Sequence, residues 1–174
     1  MVFGFVDNAE NKTIRIILIS AMSQDLIIGS GDGMPWSVPE EYQQYLDTTR
    51  GQTVIMGRRS FEIFGSDLSC DHVIVVTHQP ALKIQVPGNV TVELAKDLES
   101  ALRAARACQK KTVFVAGGAS IYQQALPSAD AMFLSTIHGE FTGDAWFPSF
   151  DPSQWKLVHH QEFQRYDYRE WERN

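Results

Sequence analysis

Short runs of branched apolar residues recur along the chain, and stretches with a helical pattern separate them. Runs of this length and composition are typical of strands that are buried on both faces. The clearest of them occupy residues 14–21, 53–56, 72–76, 112–116 and 131–137. Because strands that alternate with helices form parallel sheets with right-handed crossovers, this pattern predicts an α/β fold with a mostly parallel sheet.

The remaining segments complete this arrangement. A weaker strand is predicted at 90–94, and residues 155–163 and 166–171 are typical of a closing antiparallel hairpin. Helices are predicted from about 39 to about 50, and at 58–64, 96–108 and 119–125. Residues 138–154 are predicted to form a long loop. Residues 1–13 are interpreted as an N-terminal extension, which leaves residues 14–174 as one domain.

Composition excludes several classes of function. The chain has 174 residues, of which 44% are hydrophobic, and this is enough for one sizeable core. The formal net charge of −6 and the lack of a basic block argue against a nucleic-acid partner. No apolar run approaches the length of a membrane span, and no signal peptide is recognised. Cys70 and Cys108 lack metal spacing, so we expect reduced thiols in the cytoplasm.

Residues 26–45 combine a glycine-rich loop, a Met-Pro-Trp sequence and the start of a helix. Ser37 and Glu40 fit a capping box, which gives Glu40 a structural role. Glu41 shares a helix face with Tyr45 and is therefore expected to point toward apolar neighbours, where the pKa of a carboxyl rises. Such a group can deliver a proton near neutral pH. Taken alone, the more common alternative is that Glu41 is a first-turn acid favoured by the helix dipole.

Three strand ends have the composition of phosphate-binding turns. Gly117-Gly118 joins a predicted strand to a helix, and backbone without Cβ can approach a diphosphate closely there. Arg58, Arg59 and Ser60 open another helix, where arginine opposes the dipole unless an anion is bound. Thr77 and His78 end the adjacent strand and can share one phosphate with them. A tight turn without ligand, a solvated basic turn and a surface histidine are the alternatives.

Each of the other candidates also has a structural alternative. Lys96 can flank an adenine pocket or begin a helix in solvent, and Tyr122 can line a cleft or pack in the core. Asp144 can accept amide hydrogen bonds from the glycine loop or occupy an ordinary turn. His138, His159 and His160 have no carboxylate or cysteine at metal spacing, so no metal site is predicted.

Taken together, these motifs resemble the dihydrofolate reductase family in order and spacing across residues 14–172. The segments that carry the resemblance are Ile28-Gly29 with Met34-Pro35-Trp36, Pro39-Glu40-Glu41, 54–60, 76–79, 116–122, and Gly143-Asp144 with Phe147-Pro148. The resemblance implies an eight-stranded sheet with four flanking helices, NADPH as cofactor and a dihydropterin ring as substrate.

The resemblance also implies a role for individual residues. Glu41 would be the active-site acid, Trp36 would order a water near it, and Ser135 would bond to it. The pterin and aryl pocket would be lined by Ile19, Tyr42, Tyr45 and Phe64. Nicotinamide would contact Ala21 and Ile28, and Met34 would lie in a mobile lid that Asp144 stabilises. The rest of NADPH would be held by Gly57, Arg58, Arg59, Ser60, Thr77, His78, Lys96, Gly117, Gly118, Ala119, Ser120, Ile121 and Tyr122, with a cis peptide at Gly117-Gly118.

One position departs from the family pattern. Asp71 lies at or next to the position of the arginine that binds the glutamate carboxylate of folate, and an aspartate repels that group. Leu46 also lacks the charge found in some members. Three explanations stay open: another cation such as Arg50 substitutes, folate binds loosely, or the substrate is a pterin without the glutamyl tail.

The sequence therefore predicts an NADPH-dependent reductase of 7,8-dihydrofolate, acting as a cytoplasmic monomer. A reductase of an unconjugated dihydropterin is the nearest alternative, because Asp71 disfavours the glutamyl tail. A non-catalytic module that binds NADPH or pterin is a third interpretation, since a protein can keep its fold after it has lost its catalytic function.

Overall fold

The computed structural model describes residues 13–82 and 85–174. The predicted N-terminal extension lies outside these residues except for Thr13. The elements in chain order are β1 (Arg15–Ser23), β2 (Ile27–Gly29), α1 (Pro39–Thr49), β3 (Thr53–Gly57), α2 (Arg58–Phe64), β4 (His72–Val76), β5 (Thr91–Ala95), α3 (Leu98–Ala107), β6 (Thr112–Val115), α4 (Ala119–Ala125), β7 (Ala131–Ile137), β8 (Ala145–Trp146), β9 (Trp155–Glu162) and β10 (Tyr166–Arg173).

Eight of the strands within the described residues form one sheet, in the order β5-β4-β3-β6-β1-β7-β10-β9. Pairing is parallel from β5 to β7, and β10 is antiparallel to both of its neighbours. The predicted mostly parallel sheet with an antiparallel C-terminal hairpin is therefore confirmed. Because parallel strands end at one edge, the residues that follow β1, β3, β4 and β6 meet there.

The central strands are buried on both faces, as their unbroken apolar sequences predict. Leu18, Ile55 and Ile74 pack on one face beneath α3 and α4. Val54 and Val73 pack on the other face with side chains of α1 and α2. Each face therefore carries two helices, and the sheet edge between them is left for a ligand. No helix within the described ranges is both long and apolar enough to cross a membrane.

The start of α1 differs from the predicted capping box. Val38 is the N-cap residue, and no side chain caps the helix. Glu40 instead binds Arg165, whose guanidinium also donates to the Ser37 carbonyl at 3.4 Å. Arg165 lies in the turn between β9 and β10, so the helix start is fixed by a residue far along the chain that local sequence rules do not identify.

The predicted loop over residues 138–154 contains a short strand that the sequence analysis missed. β8 pairs with β2 and forms a small second sheet beside the site edge. Asp144 contacts the glycine loop through its backbone, and the role of its side chain stays a prediction. The Asp144 N–H donates to the Gly29 carbonyl at 3.0 Å.

Gly143 allows this close backbone contact. A Cβ atom at Gly143 would lie 2.3 Å from the Gly29 carbonyl oxygen and 2.6 Å from Ile27 Cγ2. Gly143→Ala should therefore push β8 away from β2 and lower the free energy of unfolding by about 1–3 kcal/mol, as overpacking usually does. Urea denaturation measures the change.

Gly88→Ala is the matched control, because a Cβ atom there meets nothing within 4 Å. It should change the free energy of unfolding by less than about 0.5 kcal/mol. Equal stability of the Gly143→Ala protein and the Gly88→Ala protein would contradict the proposed steric contact.

Candidate active site

A cleft opens at the carboxyl edge of the sheet, between α1 and the ends of β1, β6 and β7. Its empty volume, open mouth included, is ≈ 740 Å³, within the usual range for small-molecule sites. The predicted site residues that line it are Ile19, Ala21, Ile28, Met34, Glu41, Tyr42, Tyr45, Ser60, Phe64, Gly117, Gly118, Tyr122 and Ser135. The fold thus gathers residues from six separate segments around one cavity.

Six further residues line this cleft and were missed in the sequence: Ser20, Gln44, Thr48, Ala116, Phe133 and Tyr168. Strand alternation gives a signal for Phe133, which lies two residues before Ser135 on β7. Helical spacing does the same for Thr48, three residues after Tyr45. Tyr168 reaches the cleft because β10 pairs with β7 in a register that places it opposite Ser135, and this register is not readable from local sequence.

Glu41 is the buried carboxyl of the cleft, with 6% of the residue exposed. Burial away from water disfavours the charged form and raises the pKa of Glu41 to about 7, while the Ser135 hydroxyl opposes part of this rise. The neighbouring Glu40 is exposed, and its bond to Arg165 holds the pKa of that carboxyl below its usual range. Adjacent carboxyls on one helix therefore have opposite electrostatic environments.

Trp36 lies beside the cleft but is not among its lining residues. The residue is 9% exposed, and its ring packs edge-on against Phe141 with centroids 5.3 Å apart. Its indole N–H is buried and has no acceptor among the described protein atoms. A buried donor of this kind normally bonds to an ordered water or to a ligand.

The Gly117-Gly118 turn lies at the end of β6, and its peptide bond is cis, as the resemblance implies. The Gly57 N–H donates to the Gly117 carbonyl at 2.7 Å, which brings the ends of β3 and β6 together. A Cβ atom on Gly117 would lie 3.2 Å from the Tyr122 ring, and one on Gly118 would lie 3.3 Å from Ser60 Oγ. The missing side chains therefore leave a backbone surface that a ligand can approach.

Contacts made by Tyr122 and by the start of α4 hold this turn in place. The Tyr122 hydroxyl donates to the Ile19 carbonyl at 2.6 Å, which ties α4 to β1. Ile121 is buried and lies next to Gly57, where a Cβ atom would come within 3.3 Å of it. Ala119 and Ser120 form the first turn of α4 directly after the glycines.

Except for Ser60, which lines the large cleft, the residues predicted to bind the adenosine phosphates lie along the same edge but outside it. Arg58 and Arg59 line a shallow surface depression with Asp32, Glu62 and Ile63. Arg58 binds Glu62 at 2.7 Å, and Arg59 donates to the Gly31 carbonyl at 2.8 Å. Thr77 and His78 follow β4, whose last residue Val76 pairs with Gly57, and Lys96 follows β5.

The opposite end of the cleft carries no positive charge. Within the described residues, no lysine or arginine lines the cleft, and Asp67 accepts a hydrogen bond from Tyr42 at 2.9 Å. Asp71 binds Lys110 at 3.4 Å. Arg50, the candidate substitute cation, binds Asp47 at 3.0 Å in an exposed pair instead of lining the cleft.

Comparison with known proteins agrees with this geometry. The family model described as dihydrofolate reductase matches residues 15–173. The chain belongs to the dihydrofolate reductase family. Among its relatives, the dihydrofolate reductase of Bacillus subtilis is 38% identical over 143 residues, which cover 82% of this chain and 81% of the relative. Dihydrofolate reductase type A13 of Escherichia coli is 33% identical over 147 residues, covering 84% and 86% of the two chains.

A solved structure supports the fold. The dihydrofolate reductase from Enterococcus faecalis complexed with NADP(H) and RAB-propyl superposes with a TM-score of 0.76 at 24% identity, covering 92% of this chain and 96% of that one. Membership of the dihydrofolate reductase family makes this chain an NADPH-dependent oxidoreductase that reduces dihydrofolate. The predicted family and enzyme class are therefore confirmed.

The buried Glu41 makes stability depend on pH. The pKa of Glu41 is about 7 in the folded protein, above the ordinary value of 4.5. The folded protein therefore binds this proton more tightly than the unfolded chain does. The stability gained from this is complete below pH 4.5 and is lost as pH rises through 7. Glu41→Gln should therefore stabilise the protein relative to wild type at pH 8, with the difference growing by about 2–3 kcal/mol between pH 5 and pH 8. Urea denaturation at several pH values measures this.

Glu40→Gln serves as the control because the pKa of Glu40 is shifted downward. Its effect has the opposite sign, since the variant loses a stabilising bond to Arg165 at neutral pH. A stability difference between wild type and Glu41→Gln that does not change with pH would show that Glu41 ionises as it does in water.

Proposed function

We propose that Glu41 is the acid that assists protonation when this dihydrofolate reductase reduces the pterin ring of 7,8-dihydrofolate to the 5,6,7,8-tetrahydro form. The observation that carries this proposal is a single buried carboxyl in a cleft otherwise lined by neutral side chains. A carboxyl with a pKa near 7 is protonated often enough at neutral pH to donate, and it ionises readily enough to be an effective acid.

The geometry supports specific roles for the neighbours of Glu41. The carboxylate can accept hydrogen bonds from the amino group and a ring nitrogen of the pterin, and Ser135 orients it. Trp36, with its buried N–H unsatisfied by protein, is suited to hold a water that connects Glu41 to the ring. Ile19, Tyr42, Tyr45 and Phe64 supply the apolar walls that exclude bulk water from the pterin.

The residues at the turn fit NADPH, which supplies a hydride when it is bound. Gly117 and Gly118 offer a backbone surface without side chains next to Ser60, where a diphosphate can be bound by N–H groups. Ala119, Ser120, Ile121 and Tyr122 hold that turn, and Gly57 allows the adjacent strand to approach it. Ala21, Ile28 and Met34 line the same cleft as this turn, and an apolar wall of this kind suits the nicotinamide face.

The exposed cations at the sheet edge are suited to the adenosine phosphates. The Arg59 side chain is 66% exposed and lies in the depression that adjoins α2. Arg58, Arg59, Ser60, Thr77 and His78 can share an additional phosphate, which distinguishes NADPH from NADH. Lys96, at the end of β5, is suited to flank the adenine.

The cleft further suggests that the glutamyl tail contributes little to binding. Glutamate carboxylates are recognised most strongly by arginine, and each bond to a charged group is worth about 1.5–3 kcal/mol. The described cleft offers no such group, and the lining residue Tyr42 donates a hydrogen bond to the acid Asp67. We therefore propose that the enzyme also reduces dihydropterins without the tail. The cytoplasmic location and the monomeric state stay predictions.

The role of Glu41 predicts a defined pH profile. The kcat/KM for dihydrofolate should fall as pH rises through about 7, because the protonated carboxyl is then lost. Glu41→Gln should lower kcat/KM at pH 7 by about 100-fold or more and remove this inflection. NADPH oxidation followed by absorbance measures both effects.

Asp47→Asn is the matched control, because Asp47 is an exposed acid on the same helix that binds Arg50 outside the cleft. It should retain the wild-type rate and pH profile. A Glu41→Gln enzyme with wild-type kcat/KM would remove Glu41 from the reaction. Failure of the wild type to turn over any dihydropterin would favour the non-catalytic interpretation.

A cation introduced at position 71 tests whether the glutamyl tail of dihydrofolate contributes little to binding. We expect the KM values for dihydrofolate and for a tail-less dihydropterin to differ by less than about tenfold, which is below the effect of one lost charged bond. Asp71→Arg should lower KM for dihydrofolate several-fold without changing KM for the tail-less substrate. Asp71→Asn separates loss of repulsion from gain of attraction. A strong wild-type preference for dihydrofolate would contradict this proposal.

A further inference from the structure

Two histidines and two acids that are scattered in the sequence meet on one outer face of the sheet. The ligand atoms of His160, Glu162 and Asp167 all lie within 4.8 Å of one another. His138 borders this group, with Nε2 3.2 Å from Asp167 Oδ1. His138 follows β7, Asp167 lies on β10, and the other two lie on β9, so only the pairing of these strands brings them together.

The orientation of His138 is what points to a cation. Its Nδ1 lies 3.2 Å from the Gln164 carbonyl, an acceptor that requires N–H on that nitrogen. A neutral imidazole has one N–H, so its Nε2 then presents a lone pair to the carboxylate of Asp167. Two acceptors at this distance repel each other unless a second proton or a metal cation lies between them. A backbone carbonyl that fixes the tautomer is also the usual support for a metal-ligating histidine.

One distance in the group matches the ligand spacing of a transition metal. With bonds of about 2.0–2.2 Å to nitrogen and oxygen, two ligands of a tetrahedral zinc ion lie roughly 3.3 Å apart. The separation of His138 Nε2 and Asp167 Oδ1 is 3.2 Å. The donor set of imidazole and carboxylate suits zinc and its neighbours in the first transition row. The Arg169 guanidinium, 3.4 Å from Asp167 Oδ2, occupies the other carboxylate oxygen and leaves Oδ1 to the site.

The site is separate from the reductase cleft. Ser135 and Tyr168 pair with each other and line the cleft. Thr136 and Asp167 are the next pair along the same strands, and alternation directs them to the opposite face. We propose that His138, His160, Glu162 and Asp167 form a binding site for a divalent transition-metal ion, with zinc as the representative ion. Sequence spacing did not reveal it, because Asp167, which links His138 to His160 and Glu162, lies on a neighbouring strand.

Zinc binding by the full chain, prepared without a histidine tag, tests the proposal. In competition with a chromophoric chelator at neutral pH, the wild type should bind one zinc ion. His138→Ala and His160→Ala should each weaken binding by about tenfold or more, and the double variant should lose it. The control is His159→Ala, because His159 lies on the other face and packs against Tyr168. It should bind zinc as the wild type does.

Thermal melting gives a second measurement that also checks folding. Zinc should raise the Tm of the wild type, EDTA should reverse the rise, and the double variant should melt as apo wild type does without responding to zinc. The proposal is overturned if the wild type binds no zinc, or if the double variant binds zinc as tightly as wild type. The second result would assign the ion to other residues, such as the His72–Cys108 pair, whose Nδ1 and Sγ lie 3.1 Å apart.

Discussion

The cost of keeping one carboxyl out of water is the constraint around which this structure is arranged. Glu41 can be buried only because α1 is held against the sheet by contacts on both sides. The Arg165–Glu40 pair fixes the first turn of α1 to the β9–β10 hairpin, and Tyr166 donates a hydrogen bond to Gln44 one turn later. The C-terminal hairpin therefore determines the position of the acid, although it contributes only Tyr168 to the cleft lining.

The part of the site that is proposed to bind the cofactor lies at the edge of the sheet, and its shape depends on a different feature. Gly57, Gly117 and Gly118 have no side chains, so backbone from neighbouring strands lies close together there. The same principle recurs at Gly143, where the loop after β7 packs directly on the backbone of β2. The pterin region is thus shaped by large buried side chains, and the phosphate region by their absence.

The sequence was sufficient for the features that depend on local pattern. Strand alternation with helices predicted the sheet. The Gly-Gly pair alone fitted either a ligand-free tight turn or a phosphate-binding turn, and the resemblance favoured the second. Helical spacing alone left Glu41 undecided between a buried acid and a first-turn acid. The resemblance favoured the first, and its 6% exposure agrees.

Features that depend on long-range pairing could not be predicted. The Ser37–Glu40 capping box was expected because nothing in the local sequence reveals Arg165, which lies 125 residues away from Glu40. β8 was missed because a strand of two residues has no periodicity of its own, and Tyr168 was missed because its place depends on strand register. The missing folate-binding arginine was noticed from sequence, but the acidic partner of Tyr42 was not.

Direct titration of the Glu41 carboxyl is the measurement that tests this account most closely. Infrared difference spectra of the protein with isotopically labelled glutamate, compared with the same spectra of Glu41→Gln, isolate the signal of this one group. We predict that its protonated form disappears with a midpoint near pH 7, as burial raises the pKa to about 7. A midpoint near 4.5, the ordinary value for a glutamate, would show that water reaches the carboxyl and would contradict the proposed role of burial.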